Sequence, residues 1–215
     1  MGPTASNISD YESETENVRR GRPPVDPALV LAAADALFAD ADAPHAVTMD
    51  AVAAAAGVGK GTLFRAFGSR DGLLDALWVA KLAALREAVA RGEPPLGPGA
   101  PSRERAVAFL DAVLTFKLEN RHLIRAREAA PRILQSANYK WMHGLLQNLI
   151  EEAARGATAD EAGYAAHVLL AALHIDLVEE LLANGIALPA IRRAQAAHAR
   201  AVIDDGARRA PANSA

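Results

Sequence analysis

An all-α fold follows from three observations on the 215-residue sequence. Helix-favouring alanine, leucine, arginine and glutamate dominate, aromatics make up 5%, and no stretch alternates strictly between polar and apolar residues. Apolar residues recur instead at i, i+3, i+4 and i+7, between residues that cap or break helices. Half the chain is apolar (51%), enough to bury a core, and the length suits one large domain or a small one joined to a medium one.

The elements follow in order. Residues 1–24 are acidic and aperiodic up to Glu16, and then turn basic, which predicts a disordered tail with a basic arm. Asp26-Pro27 is a helix start, with Leu29, Ala32, Ala33, Ala36 and Leu37 spaced as its buried face. Thr48 caps a segment that Gly57 stops, a short helix covers 60–67, and Ser69 opens a fourth carrying Leu73, Leu74, Leu77, Leu82 and Leu85. Four prolines and three glycines within 91–101 make a linker or a rigid loop. It separates a small module, 25–90, from a larger one, 102–208. In the larger module the pattern predicts helices at about 102–119 (capped by Ser102), up to Ala130, 132–156, 158–184 and 188–207. Thr158 and Glu161 form a capping box for the fourth of these, and Asn184-Gly185 closes it. The total is about nine helices.

Composition removes several classes of function. Without cysteine there is no disulfide, thiolate metal site or cysteine nucleophile. No run approaches a membrane span, and the N-terminus lacks the basic and apolar regions of a signal peptide, so a cytoplasmic protein is expected. The net charge of −3 argues against an indiscriminate polyanion binder, although it averages over patches.

The segment A-G-V-G-K-G-T-L-F-R-A-F (56–67) poses the central question, because its glycines, lysine and threonine resemble a phosphate-binding loop. That loop needs a preceding strand and a hydroxyl residue directly after the lysine. Here Gly61 follows Lys60, and an alanine-rich helical run precedes. A helix-turn-helix fits better: helix 48–56, a turn at 57–59, helix 60–67. Val52, Ala53 and Ala56 face Leu63 and Phe67, with Val58 at the corner and Gly57 free to adopt positive φ. Lys60, Thr62 and Arg65 then point outward, as groups suited to base edges and phosphates in a major groove.

With those residues in view, T-M-D-A-V-A-A-A-A-G-V-G-K-G-T-L-F-R-A-F-G-S-R-D-G-L-L resembles the DNA-binding signature of the tetracycline-repressor (TetR) family of bacterial regulators. The match is specific over 47–74 and looser over 27–85. The resemblance implies a homodimer with two DNA-binding heads, a C-terminal domain that binds a small ligand, and release from a pseudo-palindromic operator. It places Thr48 on a phosphate, Lys60, Gly61, Thr62 and Arg65 along the recognition helix, Phe64 against the DNA backbone, and Arg70 on a second phosphate. Gly59 and Phe64 depart from the serine and tyrosine common in the family, and each loses a hydroxyl. Repression is the family's common mode.

Three further readings concern the flanks. The run Arg19-Arg20-Gly21-Arg22-Pro23-Pro24 contains R-G-R-P, whose arginines around a glycine suit a narrow A·T minor groove, and a plain basic tail is the simpler alternative. Helix 158–184 has one stripe of Leu169, Leu170, Leu173, Leu177 and Leu181 and another of Tyr164, Val168, Ala171, Ile175 and Val178. A helix apolar on both sides needs a second partner, which predicts a dimer that also uses helix 188–207. His122, Arg125, Trp141, His143, His167 and His174 are candidate wall residues of a ligand pocket. His167 and His174, seven apart, lack the spacing of a metal pair, so neither metal nor cofactor is expected. No catalytic motif is recognisable, which leaves an enzyme or a helical scaffold as the alternatives to a DNA-binding regulator.

Overall fold

The computed structural model describes residues 26–127, 133–154 and 156–208. The basic arm with Arg19, Arg20 and Arg22 lies outside them, as does Pro131. Every regular element among the described residues is helical: α1 (Pro27–Asp40), α2 (Met49–Ala55), α3 (Lys60–Phe67), α4 (Arg70–Arg91), α5 (Ser102–Glu119), α6 (Arg121–Ala126), α7 (Ala137–Ala153), α8 (Ala159–Ala171), α9 (Ile175–Ala183) and α10 (Leu188–Arg208). Two single 3-10 turns, Pro44–Ala46 and Ile133–Gln135, complete the set. The count is ten rather than nine.

Local chemistry sets most helix starts. The Asp26 carboxylate accepts the Ala28 N–H, and Thr48 accepts that of Ala51. Ser69 accepts from Gly72, and Ser136 starts α7 by accepting from Tyr139. Both halves of the Thr158–Glu161 capping box are formed. Ser102 behaves differently from expectation. It is the first helical residue after Pro101, and its hydroxyl donates to Glu152 of α7 at 2.5 Å.

The apolar residues gather into two cores. The head core joins Val30, Ala34 and Phe38 of α1, Val52 and Ala53 of α2, Leu63 of α3, and Leu73, Leu74 and Leu77 of α4. Burying Phe38 and Leu63 completely contributes about 1.5–3 kcal/mol each. The expected face of α1 is off by one position. Leu29 is 68% exposed, and the inward stripe runs through Val30, Ala34 and Phe38. The alanine-rich helix has little contrast between its faces, and Phe38, the largest side chain, decides which one turns inward.

The body core comprises α5 (Phe109, Val113), α7 (Leu146, Ile150), α8 (Leu169, Leu170), α9 (Val178) and α10 (Ile191, Ile203). At 22 residues, about 33 Å, α4 spans both cores: Leu73, Leu74 and Leu77 serve the head and Val89 the body. The 92–101 segment is a packed loop rather than a free linker. Arg105 donates to the carbonyls of Val89 and Leu96, and a Cβ on the buried Gly97 would sit 1.6 Å from the Gly92 carbonyl oxygen. Yet the loop does not divide the cores cleanly, because Leu123 and Ala126 of α6, beyond it, belong to the head core.

The single helix expected over 158–184 is two, interrupted at 172–174. The interruption frees carbonyls that other helices satisfy: Gln195 of α10 donates to Ala172, and Lys117 of α5 donates to Leu173, at 2.8 and 2.9 Å. The non-helical residues at 172–174 break the helical phase, so the two stripes do not continue. Ile175 and Val178 are buried, while Leu177 is 46% exposed.

Candidate nucleic-acid interface

The α2–α3 pair is held by the short turn at 56–59. Gly57 takes φ +65°, and the Val58 N–H donates to the Ala53 carbonyl, which folds the chain back toward α2. Ala56, Val58 and Phe67 pack against the head core. Gly68 (φ +73°) then ends α3. With Leu63 buried and Phe67 half-buried, the opposite face of α3 presents Lys60, Gly61, Phe64 and Arg65 to solvent, with Thr62 half-buried beside them.

These outward residues carry little internal duty. Lys60 Nζ lies 2.8–2.9 Å from the Asp50 carboxylate and 6.0 Å from the centre of the Phe64 ring. Both partners of the ion pair are about 60% exposed, so the pair contributes at most about 1 kcal/mol and yields readily to a phosphate. Arg65 forms no ion pair among the described residues. Gly59 is the N-cap of α3 with ordinary extended geometry and no side chain to cap with. Thr48 is exposed at the start of α2, its hydroxyl on the Ala51 N–H.

Arg70, which the resemblance places on a phosphate, is engaged within the protein itself. Its Nε, Nη2 and Nη1 donate to the carbonyls of Val47, Pro44 and Ala126, each at 2.9 Å, and its guanidinium lies 5.4 Å from the Phe38 ring centre. A half-buried cation with three backbone acceptors is a clamp between the head and α6. Two further ties cross the same seam. Asp35 of α1 pairs with His122 of α6 (2.9 Å) and with Lys81 of α4, and Asp75 of α4 pairs with Arg127. Burial pulls the Asp35 carboxyl upward, but the hydrogen bonds and charges of Lys81 and His122 outweigh it and hold the pKa below the usual value.

The six candidate pocket residues fall in different places. His122 and Arg125 line an open cleft of about 510 Å³ between Ala39, Pro44 and Leu118, at the seam rather than in the body. Arg125 is also bound to Glu179 of α9 at 2.8 Å. His143 and His167 come together, with ring centres 3.9 Å apart; Nε2 of His143 donates to the Gly163 carbonyl, and the Tyr139 hydroxyl and His167 Nδ1 share a hydrogen bond of 2.7 Å. Desolvation, and then the neighbouring His143, push the His167 pKa down. His174 stands apart at the start of α9, exposed, 3.5 Å from Asp176. Trp141 packs edge-on to Phe109, and on its face lies Arg86, a residue with no distinguishing sign in the sequence.

Among the described residues there is no cluster of three or more metal-ligating side chains, and no helix long and apolar enough to cross a membrane.

Comparison with known proteins agrees with this geometry. Residues 30–77 match the family of bacterial regulatory proteins, tetR family. That span runs from the first buried residue of α1 through the helix-turn-helix to Leu77 of α4. No curated protein sequence matches the chain. Among solved structures, a TetR-like transcriptional regulator from Rhodococcus sp. RHA1 is 26% identical, with a TM-score of 0.54 over 83% of this chain and 93% of that one. The agreement therefore extends through the body as well as the head: residues 30–77 carry a DNA-binding domain like that of the tetR family of bacterial regulatory proteins, and together with the likeness to a TetR-like regulator this supports a DNA-binding transcriptional regulator.

Proposed function

We propose that the protein is a cytoplasmic, non-enzymatic repressor that occupies a pseudo-palindromic operator as a homodimer and leaves it when a small molecule binds the body. The observation that carries this reading is the outward face of α3. Lys60, Gly61, Phe64 and Arg65 are exposed together on a helix whose other face is fixed in the head core. In a major groove, Lys60, Thr62 and Arg65 reach base edges or phosphates, Phe64 packs against sugar or a thymine methyl, and Thr48 and the Gly59–Gly61 backbone approach the phosphates. Arg19, Arg20 and Arg22 add a minor-groove or phosphate contact from the arm.

Two supports favour a dimer. Tyr164 (73% exposed) and Val168 lie on the outer side of α8, and α10 presents exposed Ala194, Ala197 and Ala201, small residues that permit close helix approach. A twofold axis there would set two heads ~34 Å apart on successive grooves. Release follows from the seam: Arg70, Asp35 and Asp75 all engage the α6 segment, so displacement of α6 by a ligand in the body tilts the head.

The test is charge reversal at Lys60→Glu with Arg65→Glu in the full chain. Operator binding should fall by at least a hundredfold, with the melting temperature and solution mass unchanged. Undiminished DNA binding by the folded double variant would overturn the reading.

A further inference from the structure

Where the body meets α4, Arg86 combines a buried Nε–H without an acceptor, which Arg127 shares, with the lack of the acidic partner that Arg127 has in Asp75. Arg103 places Nε and Nη2 at 2.7 Å from the two carboxylate oxygens of Asp204. Arg125 and Arg121 share Glu179, Arg192 holds Asp111, and Arg105 takes two backbone carbonyls. Arg86 has no acidic partner among the described residues. Its guanidinium carbon lies 4.5 Å from the centre of the Trp141 ring, Nη2 donates to the Asn138 side-chain carbonyl at 3.2 Å, and its Nε–H is buried without an acceptor.

That is a costly way to hold a cation unless something else meets it. The ring beneath Arg86 offsets part of its charge, but a π-face accepts poorly from an N–H directed elsewhere. A buried donor left unpaired bears its full desolvation penalty, whereas a purely structural contact would be served by an apolar side chain. The edge left with one long bond and one unmet donor is Nε with Nη2, the edge by which Arg103 grips a carboxylate in this same chain. Among the described residues no second cation bonds to Asn138 or lies over Trp141, which suits a singly charged carboxylate rather than a phosphate dianion. Trp141, half-buried and fixed edge to face against the buried Phe109 at 5.8 Å, offers an aromatic wall for the body of such a molecule.

We propose that Arg86, held over Trp141 and bonded to Asn138, anchors the carboxylate of an organic acid, and that this is the chemical class of the effector. The inference rests on the effector reading above and names its ligand chemistry. The position suits control, because Arg86 stands on α4, the helix that carries Arg70 into the head, while Trp141 and Asn138 stand on α7 of the body. A carboxylate drawn between them changes how the two helices meet.

The experiment uses the full-length protein without DNA and reads tryptophan fluorescence during titration. The probes are benzoate, phenylacetate and octanoate, each against its primary amide, with inorganic phosphate as competitor. At least one acid should bind saturably, at least tenfold more tightly than its amide, and phosphate should not displace it. Arg86→Met should weaken that acid at least tenfold. Asn138→Asp is nearly isosteric and sets a carboxylate against Arg86, so it should raise the melting temperature and weaken the acid by a similar factor, even if R86M folds poorly. Equal binding of acid and amide, no saturable acid, displacement by phosphate, or undiminished acid binding by N138D would overturn the proposal. Because binding is read without DNA, acid binding that leaves the operator complex intact would refute the release mechanism and not the site.

Discussion

Arg70 on α4 and Ala126 at the end of α6 are joined by a 2.9 Å hydrogen bond, from the guanidinium Nη1 to the carbonyl oxygen, across the seam between the DNA-binding head and the body. The same guanidinium holds Val47 and Pro44, so one side chain fixes the approach to α2, the start of α4 and the end of α6 together. Arg70→Ala should lower stability by about 2–4 kcal/mol, since three charge-assisted bonds are lost and their acceptors are partly buried. Arg70→Lys separates this role from a phosphate contact. Lysine keeps the charge but cannot span three acceptors, so thermal denaturation should show most of the loss even in the absence of DNA.

Gly61 lies on the exposed face of α3, and a Cβ added there meets nothing within 4 Å. Gly61→Ala should therefore stabilise the free protein by about 0.5–1 kcal/mol through helix propensity. If this face lies against DNA, the same methyl group holds the backbone away, and operator affinity should fall as melting temperature rises. Gel-shift titration beside thermal denaturation checks both signs.

Gly59 caps α3 in an extended conformation open to any side chain, with only Thr62 Oγ1 nearby, 3.8 Å from an added Cβ. Gly59→Ser should add a few tenths of a kcal/mol of stability by capping α3. It should also tighten operator binding by supplying a hydroxyl at the groove. Loss of affinity would mean that DNA needs the bare glycine backbone.

Burial pulls the Lys117 ammonium down from its usual 10.5 to about 8, at the α8–α9 break where it donates to Leu173. The unfolded chain keeps this proton up to about 10.5, while the folded chain releases it from about 8 upward. The unfolded state thus binds more protons between these values, and stability from this group rises with pH across that window, by at most about 1.4 kcal/mol per unit. Denaturant melts from pH 7.5 to 10 should show the rise, and Lys117→Met should flatten it.

What the sequence revealed was local. The helix-turn-helix rests on caps, a positive-φ glycine and apolar neighbours a few residues apart, so Thr48, Gly57, Val58 and Leu63 could all be placed by spacing. The α8–α9 break depends on Lys117, 56 residues from Leu173, and on Gln195, 23 from Ala172, and no periodicity carries such information. Alanine on every side of α1 leaves the register to Phe38, so spacing alone turns Leu29 inward where the structure exposes it. Arg86 is illegible in the sequence for a related reason. An arginine on a long helix looks like a solvated charge until Trp141 and Asn138, distant in sequence, are seen beside it.

Sequence-specific recognition of DNA by the head is the central consequence of this geometry. The decisive measurement is selection of sheared genomic DNA from the source organism by the purified protein, at physiological salt with excess competitor DNA. The account predicts recovery of a few fragments that share a pseudo-palindrome, with half-sites about one helical turn apart and capture lost in the Lys60→Glu, Arg65→Glu variant. Capture of DNA without regard to sequence, falling steeply with salt and leaving no shared motif, would contradict it.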